Sequence, residues 1–166
     1  MPADLSTWTG SMELVRLVLE AASLNANLLE KRDFRMNGAA FRPPTLLSLL
    51  AYAYLSGING SRDIEAALGS NRGLRYLAAN TAASGAVLRQ FRRLNRAVLK
   101  KVLVNVLRTV WEDRFSKDDL SASTGFSYVT QSLDRWLEPL RHPSFEADAE
   151  DRIRQAIMAD SMALDE

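Results

Sequence analysis

The fold is decided by residues 43–65, which read PPTLLSLLAYAYLSGINGSRDIE. Pro44 suits the first turn of a helix, where its missing N–H group costs nothing. Residues 46–55 are apolar almost all round the helix, which predicts a central buried helix rather than one on the surface. Gly57 suits the end of this helix. Its two tyrosines are expected in the core with hydrogen-bonded hydroxyl groups: Tyr52 and Tyr54.

Clusters of glycine, serine and asparagine divide the following chain into short helical segments. Ser61 suits the N-cap of a helix over 62–68, and a second short helix is predicted over 72–79. Ser84 is the expected N-cap of the longest helical pattern, which covers 86–115. Short helices joined by brief turns are typical of a helix-turn-helix-like unit.

The two ends of the chain also show helical patterns. A first helix is predicted to begin near Ser11 and to end before 31–38. Its inner stripe is Leu14, Leu17, Val18, Ala21 and Ala22. Towards the C-terminus, an amphipathic helix is predicted over 128–137, and an acidic helix over 144–162 with an inner face of Phe145, Ala149, Ile153 and Ile157. No strand pattern is convincing, so we predict an all-α helical bundle with a helix-turn-helix-like unit of short helices and one long helix.

Composition excludes several classes of protein. The chain has 166 residues and no cysteine, so disulfides and thiolate metal sites are ruled out. His142 is its one histidine, which argues against histidine-based catalysis and metal binding. No apolar run approaches the roughly 20 residues of a membrane span, and the N-terminus is unlike a signal peptide. We therefore expect a cytoplasmic protein that is not an enzyme and uses no cofactor or metal.

Charge divides the chain unevenly. Residues 61–101 hold nine basic and two acidic groups, a net charge of +7. Residues 116–166 hold five basic and eleven acidic groups, a net charge of −6. We accordingly predict a helical domain over 1–115 and an acidic, mostly helical extension over 116–166, packed on that domain or partly mobile. The basic segment could neutralise a polyanion, and the acidic one would repel it or cover the basic segment. A mixed, solvated surface is the alternative.

Cations of the basic segment are the candidate contacts to such a polyanion. Arg89, Arg93, Arg96 and Lys100 recur at spacings that place them on one outer face of the predicted long helix. The complete set of candidate contacts in the basic segment is Arg62, Arg72, Arg75, Arg89, Arg92, Arg93, Arg96, Lys100 and Lys101.

An ordered set of motifs resembles a known family. Pro43-Pro44 and a leucine-rich helix are followed by a Ser-Arg-x-Ile-Glu helix within 46–65. An aromatic-Leu helix (Arg75-Tyr76-Leu77) and a helix carrying Phe91-Arg92-Arg93 come next. In this order, over about a third of the chain, the set resembles the N-terminal domain of bacterial DDE insertion-sequence transposases.

The resemblance implies a helical domain that binds double-stranded DNA at the terminal inverted repeats of a mobile element. In a full transposase, an RNase-H-like domain with three metal-binding carboxylates follows. The residues after Arg96 are too few and too helical for that strand-rich domain. The resemblance therefore implies DNA binding without catalysis.

A second hypothesis belongs to another class, a helical oligomerisation or protein-interaction module with vestigial DNA binding. The second half of the predicted long helix is too apolar for a free surface, so it must pack on this chain or on a second copy. A homodimer seam would use Val102, Val106, Val110 and Trp111.

Overall fold

A computed structural model describes residues 12–29, 34–36, 39–79, 83–121 and 144–164. The helices are α1 (Met12–Asn25), a 3-10 helix (Ala26–Leu28), α2 (Pro43–Leu55), α3 (Ser61–Ala67), α4 (Arg72–Leu77), α5 (Gly85–Leu94), α6 (Arg96–Ser121) and α7 (Phe145–Leu164). They form the predicted all-α bundle. The predictions for Ser11 and for a helix over 128–137 lie outside the described residues, as does His142.

Helix α2 is the centre of the bundle, as predicted. Every residue from Leu46 to Leu55 is buried, and α1, α4, α5, α6 and α7 all pack against this helix. Gly57 ends it with a φ of +82°, a conformation that glycine adopts without strain. Its N–H donates to Tyr54 O at 3.3 Å, and the N–H of Ile58 donates to Ala53 O at 2.8 Å. This paired arrangement is a Schellman cap.

The apolar half of α6 faces the interior of this chain. Val102, Val106 and Val110 are buried, and α6 packs on α1, whose predicted inner stripe is also buried. Trp111 is half-buried against the same core. Three of the four residues predicted to form a homodimer seam are therefore interior residues of one chain, and only Trp111 is partly exposed.

The predicted single helix over 86–115 is wrong, because the chain breaks at Asn95. There φ is −123° and ψ is 27°, which separates α5 from α6. The Asn95 side chain donates to Phe91 O at 3.3 Å, a local hydrogen bond that competes with helical geometry. Helix α6 then continues to Ser121, so the predicted domain boundary after residue 115 falls inside it.

Helix α7 confirms the predicted acidic helix and places it in the common core. Phe145, Ala149 and Ile153 are buried as expected, Ala156 is buried as well, and Ile157 is half-buried. The helix packs against α2, α3 and α6, so this part of the acidic segment is packed on the rest of the chain. None of the helices in the described ranges is long and apolar enough to cross a membrane.

A short hairpin was not predicted. Strand β1 (Phe34–Met36) pairs antiparallel with β2 (Ala39–Phe41), and β1 lies against α5. Strands of three residues are too short to show an alternating pattern. The Asn37-Gly38 pair between them, which favours two-residue hairpin turns, is the sequence signal that could have identified the hairpin.

Helix α4 approaches α2 closely through Gly73. A Cβ atom added at Gly73 would lie 2.3 Å from Cζ of Tyr52, whose ring is fully buried. The Tyr52 hydroxyl has no hydrogen-bond partner among the described residues, so the expectation of a satisfied hydroxyl is wrong for this tyrosine. Close contact between α4 and α2 thus depends on the absence of a side chain at position 73.

We expect Gly73→Ala to lower the free energy of unfolding by about 1–3 kcal/mol, because the new methyl group overpacks against Tyr52. This is opposite to the usual preference for alanine over glycine inside a helix. Thermal and urea unfolding followed by circular dichroism measure the change. Gly69→Ala is the control, since nothing lies within 4 Å of the Cβ it would add. Equal stability of the two variants would contradict the close packing.

Candidate nucleic-acid interface

The basic segment 61–101 covers α3, α4, α5 and the beginning of α6. Helices α3 and α4 are joined by a turn over 68–71 and form the predicted helix-turn-helix-like pair. Asn71 caps α4, because its side-chain oxygen accepts the N–H of Leu74 at 3.1 Å. Ser61 does not cap α3 as predicted; it is the first helical residue, and Gly60 is the N-cap.

Helix α4 presents two arginines and a tyrosine to solvent. Arg72 and Arg75 are exposed, and Tyr76 is 61% exposed. With Ala79, which has a positive φ of 50°, they line an open surface groove. Neither arginine has an ion-pair partner among the described residues. This groove combines two cations with an aromatic ring that a flat, negatively charged ligand could contact.

Helix α5 is capped at its N-terminus and has one polar face. Ser84 caps it, as predicted, by accepting the N–H of Val87 at 3.2 Å, and Glu65 of α3 accepts the N–H of Gly85 at 2.9 Å. One face of the helix is buried in the core through Val87, Leu88, Phe91 and Arg92. The other face carries exposed Gln90 and Arg93 and the half-buried Arg89.

Arg92 is not on the exposed basic face, so its prediction as a DNA contact is wrong. Its residue surface is only 8% exposed. Its guanidinium donates to Asp160 Oδ2 at 2.6 Å and to the Tyr54 hydroxyl at 3.2 Å. A buried cation needs a charged, hydrogen-bonded partner, and Asp160 of α7 is that partner.

Asp160 also completes the N-terminus of α3. Its Oδ1 accepts the N–H of Ser61 at 2.7 Å, and its Oδ2 accepts the Ser61 hydroxyl at 2.9 Å. The first N–H groups of a helix have no partner within the helix, and a carboxylate there also interacts favourably with the helix dipole. One buried carboxylate therefore joins α3, α5 and α7.

Protonation states within this buried cluster follow from its surroundings. Burial raises the pKa of the Tyr54 phenol, although the Arg92 cation opposes the change. Burial disfavours the charged form of Arg92, but the attraction of Tyr54 and Asp160 is larger, so the pKa of Arg92 is raised. At neutral pH, Tyr54 is therefore a neutral phenol whose oxygen accepts a hydrogen bond from a charged Arg92. For this tyrosine, the expectation of a hydrogen-bonded hydroxyl is confirmed.

The break at Asn95 divides the predicted face of Arg89, Arg93, Arg96 and Lys100 between two helices. Arg96 and Lys100, on α6, turn towards α7 and pair with Glu150: Arg96 hydrogen-bonds it, and Lys100 Nζ lies 3.5 Å from it. The Arg96 hydrogen bond is the main reason why the pKa of Glu150 is lowered. At this point the acidic segment pairs with two cations of the basic one, and both cations remain partly exposed.

The remaining predicted contacts stay available. None of them forms an ion pair with a described carboxylate, and all are exposed except for the half-buried Arg89. They are Arg62, Arg72, Arg75, Arg89, Arg93 and Lys101. Gln90 belongs with them, although it was not predicted; its signal is its position between Arg89 and Arg93 on the polar face of α5.

The described part of the chain contains no group of three or more His, Cys, Asp or Glu side chains placed to hold a metal ion. Comparison with known proteins adds no relative: no family model, curated protein or solved structure matches the chain. The transposase resemblance therefore remains an expectation from the sequence.

We expect Asp160→Asn to lower the free energy of unfolding by about 3 kcal/mol or more, because it leaves Arg92 buried without a counter-charge. Urea unfolding measures the difference. Asp151→Asn, the same change at an exposed position of α7, is the control and should alter stability by less than about 0.5 kcal/mol. If the two variants unfold at the same urea concentration, the buried pair does not hold the helices together.

Proposed function

We propose that this chain binds double-stranded DNA without catalysing a reaction. The observation that carries the proposal is that α4 and α5, two helices with side-chain N-caps, expose arginines that have no described acidic partner. Phosphates supply most of the affinity of such contacts, because each neutralised phosphate releases counterions. A surface of unpaired guanidinium groups is suited to this role, since arginine binds phosphate through two parallel hydrogen bonds.

Within this proposal, the two helices have different tasks. Helix α5 is the base-reading helix: it spans Gly85–Leu94, long enough to lie in the major groove, and its polar face carries Arg89, Gln90 and Arg93. Arginine pairs with guanine, and glutamine with adenine, through two hydrogen bonds each. Helix α4 supplies backbone contacts through Arg72 and Arg75, which fix the position on the duplex without reading sequence.

The resemblance to transposase N-terminal domains supports the same proposal and suggests the target. The ends of a mobile element carry terminal inverted repeats, and a domain of this type would bind duplex DNA there. The oligomerisation alternative is less favoured, because Val102, Val106 and Val110 of its apolar seam lie in the core of one chain.

We expect the wild-type protein to bind random duplex DNA with an affinity that falls steeply with salt, and the double variant Arg72→Gln, Arg75→Gln to bind more weakly. If each arginine neutralises one phosphate, the slope of log affinity against log salt should become shallower by about 1.8. Fluorescence anisotropy over a salt series measures both quantities.

Arg16→Gln is the matched control, because Arg16 is an exposed arginine on α1, outside the basic segment, and already pairs with Glu13. It should leave the slope unchanged. An equal loss for each positive charge removed would mean that only net charge matters. Absence of wild-type binding at about 50 mM salt would overturn the proposed function.

A further inference from the structure

Three basic side chains surround a single carboxylate where α6 and α7 meet. Glu150 hydrogen-bonds Arg96, lies 3.5 Å from Lys100 Nζ, and lies 3.8 Å from Nε of Arg154. Two of the cations come from α6 and the third comes from α7. One negative charge therefore faces three positive ones, so the cluster retains an excess of positive charge with Glu150 in place.

The chemistry of this cluster is that of a phosphate site. Guanidinium and ammonium groups converging on one oxygen anion bind carboxylate and phosphate alike, and arginine matches both geometrically. The three cations are partly exposed, with side-chain exposures of 45% for Arg96, 35% for Lys100 and 67% for Arg154. A phosphodiester can thus reach them from solvent.

Only the Glu150 side chain needs to move for this exchange. The backbone of α7 is fixed by the buried Ala149 and Ile153, one turn or less from Glu150, and by the Asp160–Arg92 pair. Arg152 adds a further anchor, since it donates to the carbonyl of Tyr54 at 3.0 Å. Ion pairs at this level of exposure contribute little to stability, so a competing anion can replace the carboxylate without unfolding the helix.

We infer that Arg96, Lys100 and Arg154 form a phosphate-binding site for the DNA backbone, and that Glu150 occupies it when no DNA is bound. The inference rests on the proposed function and adds Arg154, which lies in the acidic segment, to the interface. In this inference one side chain, Glu150, occupies the phosphate site, and the rest of the acidic extension is not needed for that role. Deletion of α7 is not a test of covering, because it would also remove Asp160 from the core.

The test replaces Glu150 by glutamine, which keeps the shape of the side chain and removes its charge. We expect Glu150→Gln to bind duplex DNA on the order of tenfold more tightly at about 0.1 M salt, with a salt slope steeper by about 0.9 for one added phosphate contact. Glu146→Gln is the control, because it makes the same charge change at an exposed position on the same helix. Anisotropy titrations compare the two variants, and circular dichroism checks that both are folded.

A second substitution distinguishes an effect of this particular site from a general effect of net charge. The gain in Glu150→Gln should disappear when Arg96→Gln is added, because the freed site has lost its main donor. Glu150→Ala should reproduce the gain if the glutamine variant proves unstable. Equal affinities of Glu150→Gln and Glu146→Gln, or a gain that survives Arg96→Gln, would overturn the inference.

A calorimetric titration with tripolyphosphate distinguishes failure of this inference from failure of the proposed function. If no variant binds duplex DNA but Glu150→Gln binds tripolyphosphate more tightly than Glu146→Gln, the phosphate site stands and DNA is the wrong ligand. If wild-type protein binds DNA with a steep salt slope and the two glutamine variants do not differ with either probe, DNA binding stands and the site is refuted.

Discussion

The rest of the structure depends on the contacts that the carboxylate of Asp160 makes in the core. It neutralises Arg92 in the core and supplies the missing acceptors at the beginning of α3. Arg152, two turns earlier on α7, donates to the carbonyls of Tyr54 and Leu55 at the end of α2. Helix α7 therefore supplies hydrogen-bond partners to backbone groups at the end of α2 and at the beginning of α3. The turn between these two helices positions the short helices that follow.

This arrangement explains how a small bundle can present very short helices with fixed geometry. A helix of six or seven residues is unstable by itself, because its ends leave too many backbone groups unpaired. Here α3 is completed by Asp160, α4 by Asn71 and by its close approach to Tyr52, and α5 by Ser84 and Glu65. The arginines of α4 and α5 consequently project from helices whose N-termini are held by side-chain hydrogen bonds.

Much of the fold is predictable from local patterns, and several failures arise from single contacts that such patterns do not report. The all-round apolar character of 46–55 and the stripes of α1 and α7 report burial directly, because burial is periodic in the sequence. Arg92 has the same spacing and neighbours as an exposed arginine, and only a partner 68 residues away makes its burial favourable. The break at Asn95 and the covering of Arg96 by Glu150 likewise depend on single contacts that periodicity cannot show. The exposed arginines were predictable as candidates, but which of them stay unpaired was not.

The position of Asp160 in the chain has a consequence for the order of events during synthesis. Its partners Ser61 and Arg92 are made 99 and 68 residues earlier, so they emerge from the ribosome long before it does. During that interval α5 carries an arginine without its counter-charge, and the surfaces of α2, α3 and α6 that α7 will cover remain open to water. The growing chain can collapse around α2, but it closes its core only after translation has passed residue 160. Any pause or truncation before that point would leave an incomplete bundle with exposed apolar surface, the state in which chaperones bind and chains aggregate.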